Sequence, residues 1–304
     1  MVFQTNIVDL PETAKKLPIS VIMVSYMTGP ALLEAVSAVL EDRDIHELII
    51  VDNGNAEGAR TRLSKVAMKH DRIRLLQGHG NIGFARGCNY GARLATGHFL
   101  LFLNPDAVIA RGAARHMADC GQTLTAPWIT GGFLRDENGR EQRGARRGSL
   151  TPWSAFVSFT PLHTLPGFQS IHREDEPVPH QPAPVETTSG ACLMTNRASF
   201  NQLDGFDSGY FLHVEDIDIC ARARQAGGDV YIVPEARIMH YGSTSSVPRA
   251  RIEFEKLKGF VRYFWNYRPG FLSKFLTVLA TPLMGLAIMG RAYYIALRVG
   301  LLGR

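Results

Sequence analysis

Two short runs of β-branched and apolar residues, ISVIMVS at 19–25 and HELIIVD at 46–52, are each followed by a stretch whose apolar residues recur at helical spacing. RIRLL at 72–76 and HFLLFL at 98–103 continue the alternation. An apolar run without polar interruption suits a strand covered on both faces, so the first hundred residues read as βαβ units forming an α/β, Rossmann-like, mostly parallel sheet flanked by helices. Ligands of such sheets gather at the carboxyl ends of the strands, and polar residues there are the candidates for chemistry. The 304 residues, 45% of them hydrophobic, are enough for a sizeable core.

Farther along, the pattern weakens. Residues 135–186 hold seven prolines between Pro152 and Pro184 and read as long loops with short elements. Periodicity returns in EDIDICARARQAGG, where Glu215 and Asp216 open a helix that Gly227 can end, and DVYIVP at 229–234 is a further strand. The chain beyond 249 is expected to be helical and increasingly apolar. This divides it into a tail (1–17), a main domain (18–248) and a C-terminal segment (249–304).

Charge is unevenly spread. Residues 249–304 hold ten Lys/Arg against two Asp/Glu, which leaves 23 basic and 26 acidic residues before them. Positive charge beside aromatic and aliphatic residues points to an anionic membrane surface rather than nucleic acid; a solvated basic helix is the alternative. The sixteen uncharged residues 275–290 are fewer than the roughly 20 a spanning helix needs, so interfacial or re-entrant attachment is expected, with a buried hairpin as the other option. The four cysteines form no CxxC pair, and the N-terminus lacks a basic cluster followed by an apolar core. Both fit a reducing, cytoplasmic setting.

Several strand ends carry oxygen donors. Asn104-Pro105-Asp106 follows FLLFL and could hold a hard divalent cation together with phosphate oxygens, although Asn-Pro-Asp is also an ordinary turn. Asp52, Asn53 and Gly54 end the second strand; the acid could bind a nucleobase or ribose, or close an Asx turn. In NIGFARGCNYG at 81–91, a helix would place Gly83, Gly87 and Gly91 on one face. That face suits tight packing on the sheet, or a nucleotide at a helix start where free N–H groups and Arg86 favour phosphate. Glu215 and Asp216 suit a helix start for its dipole alone, yet a carboxylate there can act as a base toward a sugar hydroxyl. His240, after the next strand, is a structural histidine or a second ligand with Asp106 for a manganese-like ion. A dinucleotide fingerprint is missing after the first strand, where the sequence reads SYMTGP.

Taken in order, VSY (24–26), VDNG (51–54), NIGFARGCNYG (81–91), NPD (104–106), SGACLMTNR (189–197), GFDSGYFLHVEDIDICARARQAG (205–227) and YIVPEARIMHYGSTSS (231–246) resemble family 2 glycosyltransferases, within them the bacterial rhamnosyltransferase-like branch. The resemblance implies a GT-A fold and inverting transfer from a nucleotide-diphosphate sugar. It implies Asp216 as catalytic base, Asp106 and His240 as ligands of Mg2+ or Mn2+, and Glu215 and Gly190 on the acceptor side. Donor contacts are implied at Ser25, Asp52, Asn53, Asn81 and Asn104, and along the loop and helix start at Gly83, Phe84, Arg86, Gly87 and Asn89. The expected acceptor is a hydroxyl of a glycan or lipid-linked glycan, at the cytoplasmic face of the membrane. Two departures stand out: Asn104 replaces the first acid of the family's DxD, and Met27 replaces a common Asn. Rival readings are a non-catalytic sugar- or nucleotide-binding protein and a sugar nucleotidyltransferase, the latter lacking a basic glycine-rich loop after the first strand.

Overall fold

The computed structural model describes residues 18–242 and 244–267, with scattered positions from 270 to 290. The expected alternation is present from the start: β1 (Ile19–Ser25), α1 (Ala31–Glu41), β2 (Ile45–Asp52), α2 (Glu57–Ala67), β3 (Ile73–Leu76), α3 (Phe84–Leu94) and β4 (Phe99–Leu103). Next come β5 (Ala107–Ile109), α4 (Ala113–Gln122), β6 (Ile129–Arg135), β7 (Arg146–Arg147), α5 (Pro152–Phe159), β8 (Ala183–Pro184), β9 (Thr187–Thr188), β10 (Cys192–Asn196) and α6 (Arg197–Gln202). The chain then forms α7 (Glu215–Gln225), β11 (Val230–His240) and α8 (Arg249–Tyr267).

The main sheet has the order β3-β2-β1-β4-β10-β6-β11-β5, with β8 paired to β11. Strands β1 to β4 are parallel, β6 and β11 are parallel to each other, and β10 runs antiparallel between β4 and β6. Because β10 reverses direction, its first residues meet the carboxyl end of β4, where the site forms.

Side-chain alternation along β1 separates two cores. Val21 and Met23 pack with Leu32, Val36 and Val39 of α1 and Met117 of α4. Ile22 and Val24 face the other way, toward Cys88 and Ala92 of α3, Ile217 of α7, and Phe260 and Phe264 of α8. The glycine face of α3 rests on this second side: a Cβ on Gly87 would lie 2.9 Å from Val24 Cγ1, and one on Gly91 2.6 Å from Ile22 Cγ2. Close helix-on-sheet approach is therefore what those two glycines provide.

The strand expected at 229–234 runs on to His240, because Pro234 falls in the register shift between Val233 and Arg237, where no ladder N–H is needed. Within the proline-rich stretch, Thr151 and Ser154 form a reciprocal capping box that starts α5 with Pro152 at its first turn.

The boundary placed at 248 does not separate α8 from the main domain. Phe260, Tyr263 and Phe264 of α8 are buried in the second core, and the Tyr267 hydroxyl donates to Asp218 Oδ1 at 3.0 Å. Among the described residues no helix is long and apolar enough to cross a membrane. The run 275–290 falls only partly within the described residues: Ile288 is buried there, while Phe271 just before it and Leu286 are exposed. The tail 1–17 lies outside them.

Candidate active site

The carboxyl ends of β1 and β2 are joined by a buried polar network. Asp52 Oδ1 accepts from the Gly54 and Asn55 amides at 3.0 and 2.8 Å and from Asn55 Nδ2 at 2.9 Å, the pattern of an Asx turn. Its Oδ2 accepts from Gln77 Nε2 at 2.8 Å, with Arg60 3.7 Å away. Burial works to raise the Asp52 pKa, but these donors together hold it below the usual carboxylate range. Ser25 Oγ accepts from Asn55 Nδ2 at 2.8 Å, and Asn53 spans to Gly83 O (3.0 Å) and His79 Nε2 (3.1 Å).

Asn81 Oδ1 takes the Gly83 amide, and Gly83 has φ +87° with Phe211 so near that a Cβ would sit 2.8 Å from its carbonyl oxygen. The Phe84 amide donates to that same Phe211 carbonyl at 2.8 Å. Protein thus already occupies the start of α3, where the sequence suggests open N–H groups for phosphate. Arg86 is exposed and donates to Ser208 O at 3.1 Å, and Asn89 exchanges two hydrogen bonds with the Phe206 backbone, at 2.7 and 2.9 Å. With Gly87 packed on β1, these three residues hold α3 in place, and the geometry lends no support to donor contact by Arg86 or Asn89.

Beyond β4 the polypeptide turns through Asn104 and Asp106. Asp106 Oδ1 lies 3.1 Å from His240 Nε2 at the end of β11, its Oδ2 accepts from Thr244 Oγ1 at 2.9 Å, and Asn104 Nδ2 is 3.4 Å from the same imidazole nitrogen. The Gln142 amide sets the histidine tautomer. Its Nε2 donates to the His240 carbonyl at 3.3 Å, so its Oε1, 2.5 Å from Nδ1, accepts the Nδ1 proton. Nε2 is then the nitrogen that faces the Asp106 carboxylate, and when the imidazole is neutral its lone pair is available to a cation shared with that oxygen. Burial raises the Asp106 pKa, yet the His240 hydrogen bond and charge, with Thr244, bring it below the usual range.

Asp216 lies in the first turn of α7, after the left-handed residues His213 (φ +67°) and Val214 (φ +73°). Its Oδ2 meets the Arg147 guanidinium in a very short contact and the Gly190 amide at 2.9 Å, and Oδ1 takes the Ile217 amide at 2.8 Å. Burial would raise its pKa; Arg147 and the two amides hold it low instead. Glu215 beside it is pushed up to about 8 by burial and by the Asp216 charge.

Two backbone links bring these groups to one place. The Asn104 amide donates to Ala191 O at 2.9 Å, and Gly190, next in the chain, donates to Asp216. The Asp106–His240 pair and Asp216 therefore flank the same β4–β10 junction. Sequence reasoning passes over Gln142, Arg147, Gln77, His79 and Asn55. The first two come from the stretch without periodicity, and the other three adjoin motifs that are readable, so their nearness to VDNG and NIG is the available signal. A separate cavity of about 860 Å3 opens beside Asp218, Arg222 and Tyr267, and none of the residues that hold Asp216, Asp106 or His240 lines it.

A profile of glycosyl transferase family 2 matches residues 20–200, more than half of the chain. The chain belongs to glycosyl transferase family 2. The N-acetylglucosaminyl-diphospho-decaprenol L-rhamnosyltransferase of Mycobacterium tuberculosis is 26% identical over 241 residues, 74% of this chain and 76% of that protein. Rhamnosyltransferase WbbL of Escherichia coli is 24% identical over 217 residues, 69% of this chain and 77% of its own length. The crystal structure of GalNAc-T7 with UDP, GalNAc and Mn2+ superposes with a TM-score of 0.60 at 17% identity, over 82% of this chain; the chain spans 48% of that protein. The mixed, mostly parallel sheet with flanking helices is thus that of a GT-A family 2 glycosyltransferase, and membership sets the nucleotidyltransferase reading aside.

Proposed function

We propose that this family 2 enzyme moves a rhamnose-like sugar from a nucleotide-diphosphate donor to a hydroxyl of a glycan or lipid-linked glycan, with inversion, in the assembly of a cell-surface polysaccharide. The observation that supports the reading is the pair of hydrogen bonds, Asn104 to Ala191 and Gly190 to Asp216, by which the Asp106–His240 pair and the buried acid Asp216 flank one strand junction. Asp216 accepts the proton of the acceptor hydroxyl. That oxygen forms a bond to the anomeric carbon as the bond to the diphosphate oxygen breaks on the opposite face, and the nucleoside diphosphate leaves with the electron pair. A single displacement inverts the centre.

Asp106 and His240 suit a divalent ion of the magnesium or manganese kind, with the Asn104 amide and Thr244 hydroxyl close by. No group of three His, Cys, Asp or Glu suited to a metal occurs among the described residues, so the donor's diphosphate and water would complete the shell. Such an ion would offset the negative charge that gathers on the leaving group. Asp52, Ser25 and Asn53 lie at the strand ends where the nucleoside is expected, and Gly190 and Glu215 border the acceptor side of Asp216. The basic C-terminal segment and the acceptor class together favour work at the inner face of the membrane, as a peripheral protein.

A thermal-shift screen of nucleotide-diphosphate sugars with and without Mn2+ tests the reading, since donor binding raises apparent stability by mass action. The matching donor should shift the melt only with metal present. Asp216→Asn should keep that shift and lose at least about 1,000-fold in turnover, as the base is the only proton acceptor assigned. Unchanged turnover would remove Asp216 from the mechanism.

A further inference from the structure

Asp216 occupies surroundings that on their own would keep it protonated. Its side chain is 12% exposed, Glu215 precedes it and Asp218 lies within the same turn. Burial beside other acids favours neutral carboxyls, and a neutral Asp216 cannot take a proton from a hydroxyl.

Arg147 of β7 counters this. Besides its contact with Asp216 Oδ2, its guanidinium donates to Thr188 O at 3.1 Å, which fixes the side chain against β9. With the Gly190 amide on the same oxygen, both lone pairs of Oδ2 are used, whereas Oδ1 receives only the Ile217 amide among the described residues and keeps one lone pair open. Glu215 has no equivalent partner among those residues, and its Oε2 is buried without a hydrogen bond.

Among the described residues, the other titratable groups around the pair bring no second cation into contact with Asp216. His213, ahead of α7, is pushed down to about 4, by burial first and then by Lys256 of α8, and is neutral at pH 7. Lys256 pairs with Glu253 at 3.1 Å, and Asp218 pairs with Arg222 at 2.7 Å. Cys220 of α7 and Cys88 of α3 are thiols raised by burial.

We infer that Arg147 is the positioning residue of the base: its ion pair places the single negative charge of the Glu215–Asp216 pair on Asp216 and grips that carboxylate by Oδ2, so that Oδ1 faces the acceptor hydroxyl. The inference rests on the role proposed above for Asp216. The balance of burial and charge agrees, with Asp216 lowered and Glu215 raised within one helical turn.

The test reads ionisation rather than turnover. The full chain is labelled with aspartate carrying carbon-13 in its side-chain carboxyl, and the Asp216 resonance is assigned by its loss in Asp216→Asn. Arg147→Met should raise the Asp216 titration midpoint by more than about one pH unit, while Arg147→Lys should stay within about half a unit of the parent. A midpoint unmoved in Arg147→Met overturns the inference. If that variant does not melt cooperatively, Arg147→Gln, which keeps a donor for Thr188 and loses only the charge, is read by the same two outcomes. Failure of the role proposed for Asp216 would show separately, as sugar transfer that survives Asp216→Asn.

Discussion

Each side chain given a role in the proposed reaction is governed by a neighbour from elsewhere in the chain. Gln142 fixes the tautomer of His240, and such supporting bonds are commonly worth 10- to 100-fold in metal affinity. Gln142→Ala should therefore weaken Mn2+ binding by about that factor, and His240→Ala should abolish the metal-dependent thermal shift with nucleoside diphosphate; an undiminished shift in His240→Ala would disprove ligation. Glu215 offers a pH test. Its folded-state value of about 8 lies above the ordinary 4.5, so folding takes up a proton between those values and stability falls as pH rises through that window. Glu215→Gln carries no such proton. Measured by denaturant unfolding, its stability relative to the parent should grow from about pH 4.5 to about pH 8. A difference that is constant with pH would count against a neutral Glu215.

Helix α3 shows how an element can look functional in sequence and serve packing in the fold. Gly91→Ala gains about 1 kcal/mol of helix propensity but drives a methyl to 2.6 Å from Ile22 Cγ2, and such overpacking costs about 1–3 kcal/mol. A net destabilisation of up to about 2 kcal/mol is expected in denaturant melts, with an unchanged slope. Parallel strands β1, β2 and β4 are legible because strands buried on both faces read as unbroken apolar runs. Strand β6, ITGGFLR, is not. Its glycines look like breakers locally, and only the fold shows that a Cβ on Gly131 would fall 1.6 Å from Thr188 Oγ1 and one on Gly132 2.7 Å from Ile238. The same limit applies to the site. Asp106, Asp216 and His240 end or begin recognisable elements, whereas Arg147 and Gln142 lie in a segment without periodicity, and only tertiary folding carries them to their partners.

At the scale of the whole molecule, charge divides where α8 begins. Five basic residues and no acid lie beyond Tyr267: Arg268, Lys274, Arg291, Arg298 and Arg304. Each such charge near an anionic surface contributes about 1 kcal/mol. Replacing all five with Gln should reduce cosedimentation with phosphatidylserine vesicles by at least about 100-fold at low salt, and leave sugar transfer to a soluble acceptor intact. Binding unaffected by the change would refute the electrostatic anchor. One contact joins this C-terminal part to the candidate site. Gly259 of α8 lies so close to the turn ahead of α7 that a methyl there would stand 2.8 Å from Val214 Cγ2 and 3.2 Å from the His213 carbonyl oxygen. Helix α8 is thus wedged under the left-handed turn that leads into Asp216, and a sideways slip of that helix by even the width of a methyl group would tilt the proposed base away from an acceptor.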